Sequence, residues 1–132
     1  LLEVAQGQRE AVQLYGTDYG TPDGTCIRDY VHVVDIAEAH LLALSQIDHI
    51  ESRTYNIGSG TGHSNLEVIQ AVCEVTEKDI PVTPAARRPG DPERLVASSD
   101  LIRRELGWEP LFPQLAEIVQ SAWKWRCRQP MR

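Results

Sequence analysis

The sequence predicts an α/β fold, and three observations predict it. Short runs of β-forming residues alternate with stretches whose apolar residues recur at helical spacing. Several of those stretches carry residues that start or stop helices at their ends. The composition, 42% apolar and 24% charged over 132 residues, is that of a globular chain able to bury one modest core.

Residues 1–10 read as the end of a helix with Gly7 as its stop, and Ala11-Val12-Gln13-Leu14-Tyr15-Gly16 as a strand. Residues 18–24 are dense in turn formers and predict a surface loop. Residues 27–33 carry β-branched side chains and predict a short extended piece, followed by a helix from Asp35 (35–46) with Ile36, Ala39/His40 and Ala43/Leu44 on one face. Thr54-Tyr55-Asn56-Ile57 is the next expected strand. Ser64-Asn65-Leu66-Glu67 matches a capping box, in which hydroxyl and carboxylate satisfy orphan amides, and predicts a helix over 65–76. Ile80-Pro81-Val82-Thr83 reads as a short edge strand, and the prolines and glycine of 84–92 as irregular chain. Ser99 is expected to cap a short helix that runs to Leu106, where Gly107 supplies a left-handed stop. The last helix repeats Leu115, Ile118, Ala122 and Trp125 at steps of three and four, with Trp123 partly covered.

Charge and cysteine usage exclude several functions. At a net charge of −6, with no aromatics interleaved among lysines, the chain offers no basic field for a nucleic acid. The cations Lys124, Arg126, Arg128 and Arg132 sit at the end of the last helix, where its dipole favours them. No apolar run approaches the about 18 residues that a membrane span needs, and the first residues do not resemble a signal peptide. A soluble, cytoplasmic protein is the expectation. Cys26, Cys73 and Cys127 are odd in number and lack metal-ligand spacing, so reduced thiols are expected, with no disulfide framework and no metal. The chain opens on Leu1 and not on Met, and a missing N-terminal part is expected.

Three segments could carry chemistry. Asn56-Ile57-Gly58-Ser59-Gly60-Thr61-Gly62-His63-Ser64 follows a strand and opens a helix, as a dinucleotide-binding turn does, but its glycines miss the required spacing: the third would fall on His63 or Asn65. A structural turn is the better reading. Arg87 and Arg88 lie in a loop stiffened by Pro84, Pro89 and Pro92; the guanidinium fork suits phosphate oxygens, and a stiff loop loses less entropy on binding. A plain surface turn is the alternative there. Asp91 could pair with one of the arginines or accept hydrogen bonds from a ribose. Arg28 stands in the mostly apolar Ile27–Val33 piece, where alternate side chains face core and cleft; an Arg28–Asp29 salt bridge is the competing reading. His32 and His40 have no Ser or Cys placed to form a triad with them and read as core or surface histidines.

Taken together, Leu14-Tyr15-Gly16-Thr17-Asp18-Tyr19, the run from Thr21 through Arg28-Asp29-Tyr30 to Ala37, Tyr55-Asn56-Ile57-Gly58, Arg87-Arg88-Pro89-Gly90-Asp91-Pro92, Ser98-Ser99-Asp100 and Glu105-Leu106-Gly107-Trp108 closely resemble the C-terminal portion of the UDP-glucose 4-epimerase family, within the extended short-chain dehydrogenase/reductase group. The resemblance covers essentially the whole chain, 1–132. It implies a small mixed α/β substrate-binding lobe, plus edge elements (the first strand and helix 35–46) of an absent Rossmann-like NAD-binding domain. It also implies roles. Arg28 and Arg88 match the arginines that hold the UDP diphosphate, Asp91 the carboxylate at the ribose, and Gln13 and Tyr15 the strand that lines the uracil. Leu95 matches a variable position beside the sugar, where a leucine leaves room for an N-acetyl group.

In that family a tightly bound NAD oxidises the sugar at C4 with help from a Tyr-x-x-x-Lys pair, the keto sugar turns over, and hydride returns to its other face. A sugar that must rotate cannot be gripped hard, so the binding energy has to come from the remote UDP. None of Tyr15, Tyr19, Tyr30 or Tyr55 has a lysine four residues on, and no Gly-x-x-Gly-x-x-Gly is present. The expectation is therefore a UDP-sugar-binding portion with no catalytic residues and no cofactor site of its own, from a parent that uses NAD in galactose metabolism and could be a homodimer. The alternatives are a stand-alone non-enzymatic UDP-sugar-binding module and a piece of a related nucleotide-sugar dehydratase or decarboxylase; the Thr21-Pro22-Asp23-Gly24-Thr25 loop favours the epimerase.

Overall fold

The computed structural model describes residues 1–49 and 52–129. Its elements in chain order are α1 (Leu2–Ala5), β1 (Val12–Tyr15), β2 (Ile27–Arg28), α2 (Val33–Ser45), β3 (His63–Ser64), α3 (Asn65–Thr76), β4 (Val82–Ala85), β5 (Arg94–Leu95), α4 (Asp100–Leu106) and α5 (Leu115–Arg128). Two small sheets result. β1 pairs in parallel with β4, Tyr15 opposite Ala85. β2 lies between β3, antiparallel, and β5, parallel, with Arg28 opposite Leu95.

Two apolar clusters hold the elements together. Leu14 of β1 joins Val4, Ala5, Ile69, Val72, Ile80 and Val119 in the larger cluster, so α1, α3 and α5 cover one side of the β1–β4 pair. Ala39, Ile102 and Trp108 form a second cluster between α2 and α4, with Leu42, Tyr55, Ile57 and Leu106 packed on it. Trp108 is 1% exposed and its indole N–H donates to the Asp35 carbonyl at 2.9 Å. The Asp35 carboxylate, equally buried, accepts from the amides of Leu111 and Phe112 at 2.8 and 3.2 Å, so one residue secures the whole turn into α5.

Several local expectations need correction. α2 begins at Val33, not at Asp35, because His32 is its cap: the ring Nδ1 accepts from the Val34 amide at 3.1 Å, and Nε2 lies 2.8 Å from Ser121 Oγ. The extended piece before it is a ladder only over Ile27–Arg28. Residues 54–57 form no strand, and the Tyr55 hydroxyl donates to Glu105 at 2.9 Å. β4 lies two residues later than expected and takes in Pro84, which a sheet edge tolerates. The buried seam of α5 runs through Leu115, Val119 and Trp123 in steps of four, which leaves Ala122 exposed and Trp125 62% exposed. Ser99 starts α4 without a side-chain cap; its hydroxyl bridges the amide and carbonyl of Gly58 instead, both at 2.8 Å. Arg132, counted in the C-terminal cation cluster, lies outside the described residues, while Arg126 is tied to Gln6, Gln8 and Glu3 of the N-terminal segment.

Candidate functional site: a two-arginine cavity

Parallel pairing explains why distant segments meet. β1 pairs with β4 and β2 with β5, so the chain between β4 and β5, residues 86–93, must cross from the end of β1 to the start of β2. It carries Arg88 and Asp91. Within it Arg88-Pro89-Gly90-Asp91 closes a tight turn, the Asp91 amide donating to the Arg88 carbonyl at 3.2 Å. Gly90 sits at φ +78°, where proline before it and glycine at the left-handed position are what a type II turn requires. The turn throws both side chains back toward β1 and β2.

The result is a cavity of about 290 Å³ walled by Gln13, Tyr15, Arg28, Tyr30, Arg88 and Asp91, with Cys26 and Asn65 also in its lining. The structure thus brings together five of the six residues expected at a site and leaves the sixth outside: Leu95, opposite Arg28 on β5, is 61% exposed and does not line the cavity. Gln13 and Tyr15 are two apart on a strand and so share a face, and the Tyr15 hydroxyl donates to the Gln13 side-chain oxygen. The Arg88 guanidinium lies 3.8 Å from the Tyr15 ring centroid, a stacked cation that leaves its N–H edge available. Arg28 spends one nitrogen on the Ile27 carbonyl at 2.8 Å and the other on Asp91. The expected alternative, a bridge to Asp29, does not form, because Asp29 points to the opposite side of the strand.

That opposite side decides the role of the glycine-rich turn. The Asp29 carboxylate accepts from the Ser59 amide at 2.7 Å, the Ser59 hydroxyl at 2.5 Å and the Ala97 amide at 2.9 Å. The Gly62 amide donates to Ser59 Oγ at 3.1 Å and the Gly58 amide to Ser99. The Gly58, Ser59 and Gly62 amides are thus engaged inside the chain, as a structural turn requires. A second cavity of about 310 Å³ borders this turn, lined by Ser59, Thr61, His63 and Arg103 among others.

The loop before β2 is braced from α3. Ser64 makes both halves of its capping box, accepting from the Glu67 amide at 3.1 Å while Glu67 accepts from its own at 2.7 Å, and its hydroxyl also donates to Asp23. Asp23 further accepts from the amide and hydroxyl of Thr25, at 2.9 and 2.8 Å. Burial pushes the Asp23 carboxyl up, but these hydrogen bonds to its charged form outweigh that and hold it below the ordinary carboxylate value. A group so depressed stabilises the fold fully above the unfolded carboxylate pKa of about 4 and loses that contribution as pH falls through its lower folded value. Asp23→Asn is therefore expected to lower thermal stability at pH 7 and to narrow its gap to the parent chain as the pH is taken below 4; melting curves across pH 3 to 7 check this.

Sequence reasoning missed Tyr30, Cys26 and Asn65 in the cavity wall. Tyr30 was accessible from the period of two, since it stands two residues from Arg28; Asn65, the first residue of α3, was accessible as the residue following the capping serine. Cys26, two residues before Arg28, carries the same period-of-two signal as Tyr30.

The family model described as GDP-mannose 4,6 dehydratase matches residues 2–121. UDP-glucose 4-epimerase of Streptococcus mutans serotype c is 50% identical over 131 residues, which is 98% of this chain and 39% of that protein. A crystal structure of UDP-glucose 4-epimerase superposes with a TM-score of 0.94 at 50% identity, over 98% of this chain and 40% of the other. The epimerase of Bifidobacterium longum in complex with NAD+ and UDP gives 0.87 at 40% identity, over 98% and 38%. The chain spans well under half the length of the relatives it matches, and it corresponds to their C-terminal region. The small mixed α/β architecture is that of the C-terminal portion of these structures. By its sequence over 2–121 the chain belongs to the family described as GDP-mannose 4,6 dehydratase, and the relatives it resembles at 40–50% identity are UDP-glucose 4-epimerases.

Proposed function

We propose that this chain is the substrate-gripping portion of a UDP-glucose 4-epimerase, and that its cavity holds the UDP part of UDP-glucose and UDP-galactose. The observation that carries the reading is the meeting of Arg28 and Arg88 across one cavity whose far wall is the Gln13–Tyr15 face of β1. Two guanidinium groups suit a diphosphate, an amide beside an aromatic ring suits a uracil, and Asp91 between them suits a ribose diol. Leu95, exposed on β5 opposite Arg28 and outside the cavity, is assigned the neighbourhood of the sugar in this reading. The binding of UDP in the Bifidobacterium relative supports the same assignment.

NAD is the cofactor of the parent enzyme in this reading, held by residues outside this chain, because the glycines of the turn miss the dinucleotide spacing and its Gly58, Ser59 and Gly62 amides are engaged within the chain. NAD supplies the hydride acceptor and donor at the sugar C4; the residues of this chain bind and orient. A homodimeric parent, action in galactose metabolism and a cytoplasmic location belong to the same proposal. Among the described residues no helix is long and apolar enough to cross a membrane. The isolated chain is expected to turn over no UDP-galactose and to bind UDP weakly. Arg88→Ala should reduce that affinity roughly tenfold to a hundredfold, the loss of a charge-assisted contact of about 1.5–3 kcal/mol. Calorimetric titration with UDP checks it; equal affinity in the variant, or turnover by the chain alone, would reject the reading.

A further inference from the structure

Two consecutive arginines leave β4 and turn to different tyrosines. Arg88 stacks on Tyr15 in the cavity wall, whereas the Arg87 guanidinium lies 4.1 Å from the Tyr19 ring centroid, and Arg87 does not line the cavity. Its donors are in use: Nε donates to the Asp18 carboxylate at 2.7 Å, and a terminal nitrogen to the Asp18 main-chain carbonyl. Tyr19 is 6% exposed and closes against Gly16, where a Cβ would collide with both its ring and the Arg87 side chain. Gly16 also sits at φ +76°, so chain shape and space both call for glycine. Arginine, tyrosine and glycine form one closed stack outside the cavity.

That stack bears on Arg88 because little else holds it. Among the described residues the Tyr15 ring is the partner of the Arg88 guanidinium, so the place of that group depends on the main chain of 86–93. At its far end this segment is tied to the loop 17–24 by Glu93, whose carboxylate accepts from the Gly20 amide at 3.0 Å. The Ile27 amide of β2 donates to the Glu93 carbonyl at 2.9 Å. At the near end Arg87 is the tie to the same loop. The loop itself is firm: the Tyr19 amide donates to the Gly24 carbonyl at 2.9 Å, and the Thr21 hydroxyl to the Thr25 carbonyl at 2.6 Å. A segment fastened at both ends has less freedom left to lose when a ligand engages its arginine.

We propose that Arg87 is a positioning residue of the nucleotide site: clamped to Asp18 and Tyr19, it fixes the 86–93 segment so that Arg88 meets a nucleoside diphosphate, and does not touch the ligand itself. The inference rests on the nucleotide reading of the cavity given above. A clamp differs in sign from a long-range attraction between a cation and phosphate. The clamp needs Asp18, whereas the attraction is opposed by it.

The test is Arg87→Ala and Asp18→Ala in the full chain, by calorimetric titration with UDP and with uridine. Arg87→Ala should weaken UDP binding about fivefold, the effect of one side chain that must be reordered on binding. Asp18→Ala should weaken it about threefold by the same route, although it removes a negative charge near the site and electrostatics alone predicts tighter binding. Uridine has no phosphate for Arg88 and should bind all three chains within about twofold of one another. In an Arg88→Ala background the Arg87→Ala change should cost less than about twofold in UDP affinity, since nothing is left to position. The Arg87 and Asp18 side chains are 45% and 74% exposed, so loss of their pair should move the melting temperature by no more than about 3 °C. Tighter UDP binding by Asp18→Ala, unchanged binding by Arg87→Ala, an equal loss for uridine, or the same loss without Arg88 would each overturn the role. If the unsubstituted chain bound no UDP, the nucleotide reading itself would fall; if it bound UDP and both variants matched it, only the Arg87 role would.

Discussion

Arg28→Ala is expected to weaken UDP binding by a hundredfold or more, beyond the effect at Arg88. Both substitutions remove a phosphate donor, but Arg28 is also the partner of Asp91, and the two side chains are 21% and 25% exposed. Truncation therefore leaves a carboxylate unpaired in the cavity wall, facing the diphosphate. Breaking one side of a partly buried pair costs more than the pair contributes, about 3–5 kcal/mol when burial is complete and less here. The repulsion between Asp91 and the incoming phosphates adds to the lost contact. Arg88, stacked on Tyr15 at the rim, leaves no such orphan. The distinguishing result is rescue: Asp91→Asn added to Arg28→Ala should recover part of the lost affinity, while added to Arg88→Ala it should not. Calorimetric titration of the four variants measures this, and parallel behaviour of the two arginines would refute the asymmetry.

Trp108→Ala should have the largest effect on stability. The side chain is 1% exposed at the centre of the α2–α4 cluster and supplies the N–H that the Asp35 carbonyl accepts. Emptying such a site costs about 3–5 kcal/mol in transfer and cavity energy. For a chain of this size that is a fall of roughly 10–20 °C in melting temperature, against a total stability of about 5–15 kcal/mol. Trp108→Phe should recover most of the volume but not the hydrogen bond, and should fall between the two. A midpoint for Trp108→Ala within a few degrees of the parent would show that the α2–α4 cluster contributes little to stability.

Much of this was legible in the sequence where one local interaction decides the outcome. The capping box of Ser64 and Glu67 forms as spelled, and Gly107 takes φ +66° at the end of α4. Arg87 and Arg88 stand out as guanidinium groups in a proline-stiffened loop, while Arg28, Arg88 and Asp91 take their roles from the family resemblance, and Arg87 turns out to be tied to Asp18. The misses share a cause: side chains that hydrogen-bond across long sequence distances. Ser99 looks like a cap, but Gly58, 41 residues away, takes its hydroxyl. Asp29 looks like a partner for Arg28, but the turn at Ser59 and the amide of Ala97 take its carboxylate. Thr54 to Ile57 has strand composition, yet strand formation needs a neighbouring edge, and no composition encodes that. The stripe on α5 slipped because Trp125 is as apolar as Trp123, and only the packing partners α1 and α3 choose between them.

The central claim is that Gln13, Tyr15, Arg28, Arg88 and Asp91 form one nucleotide site. Backbone amide chemical shifts of the chain titrated with UDP test it most directly. Saturable shifts are expected only at residues 13–15, 26–30, 65–69 and 87–91, with the turn at 58–62 unmoved. Shifts centred on that turn and on the cavity beside Arg103 and His63, with the two-arginine cavity silent, would contradict it.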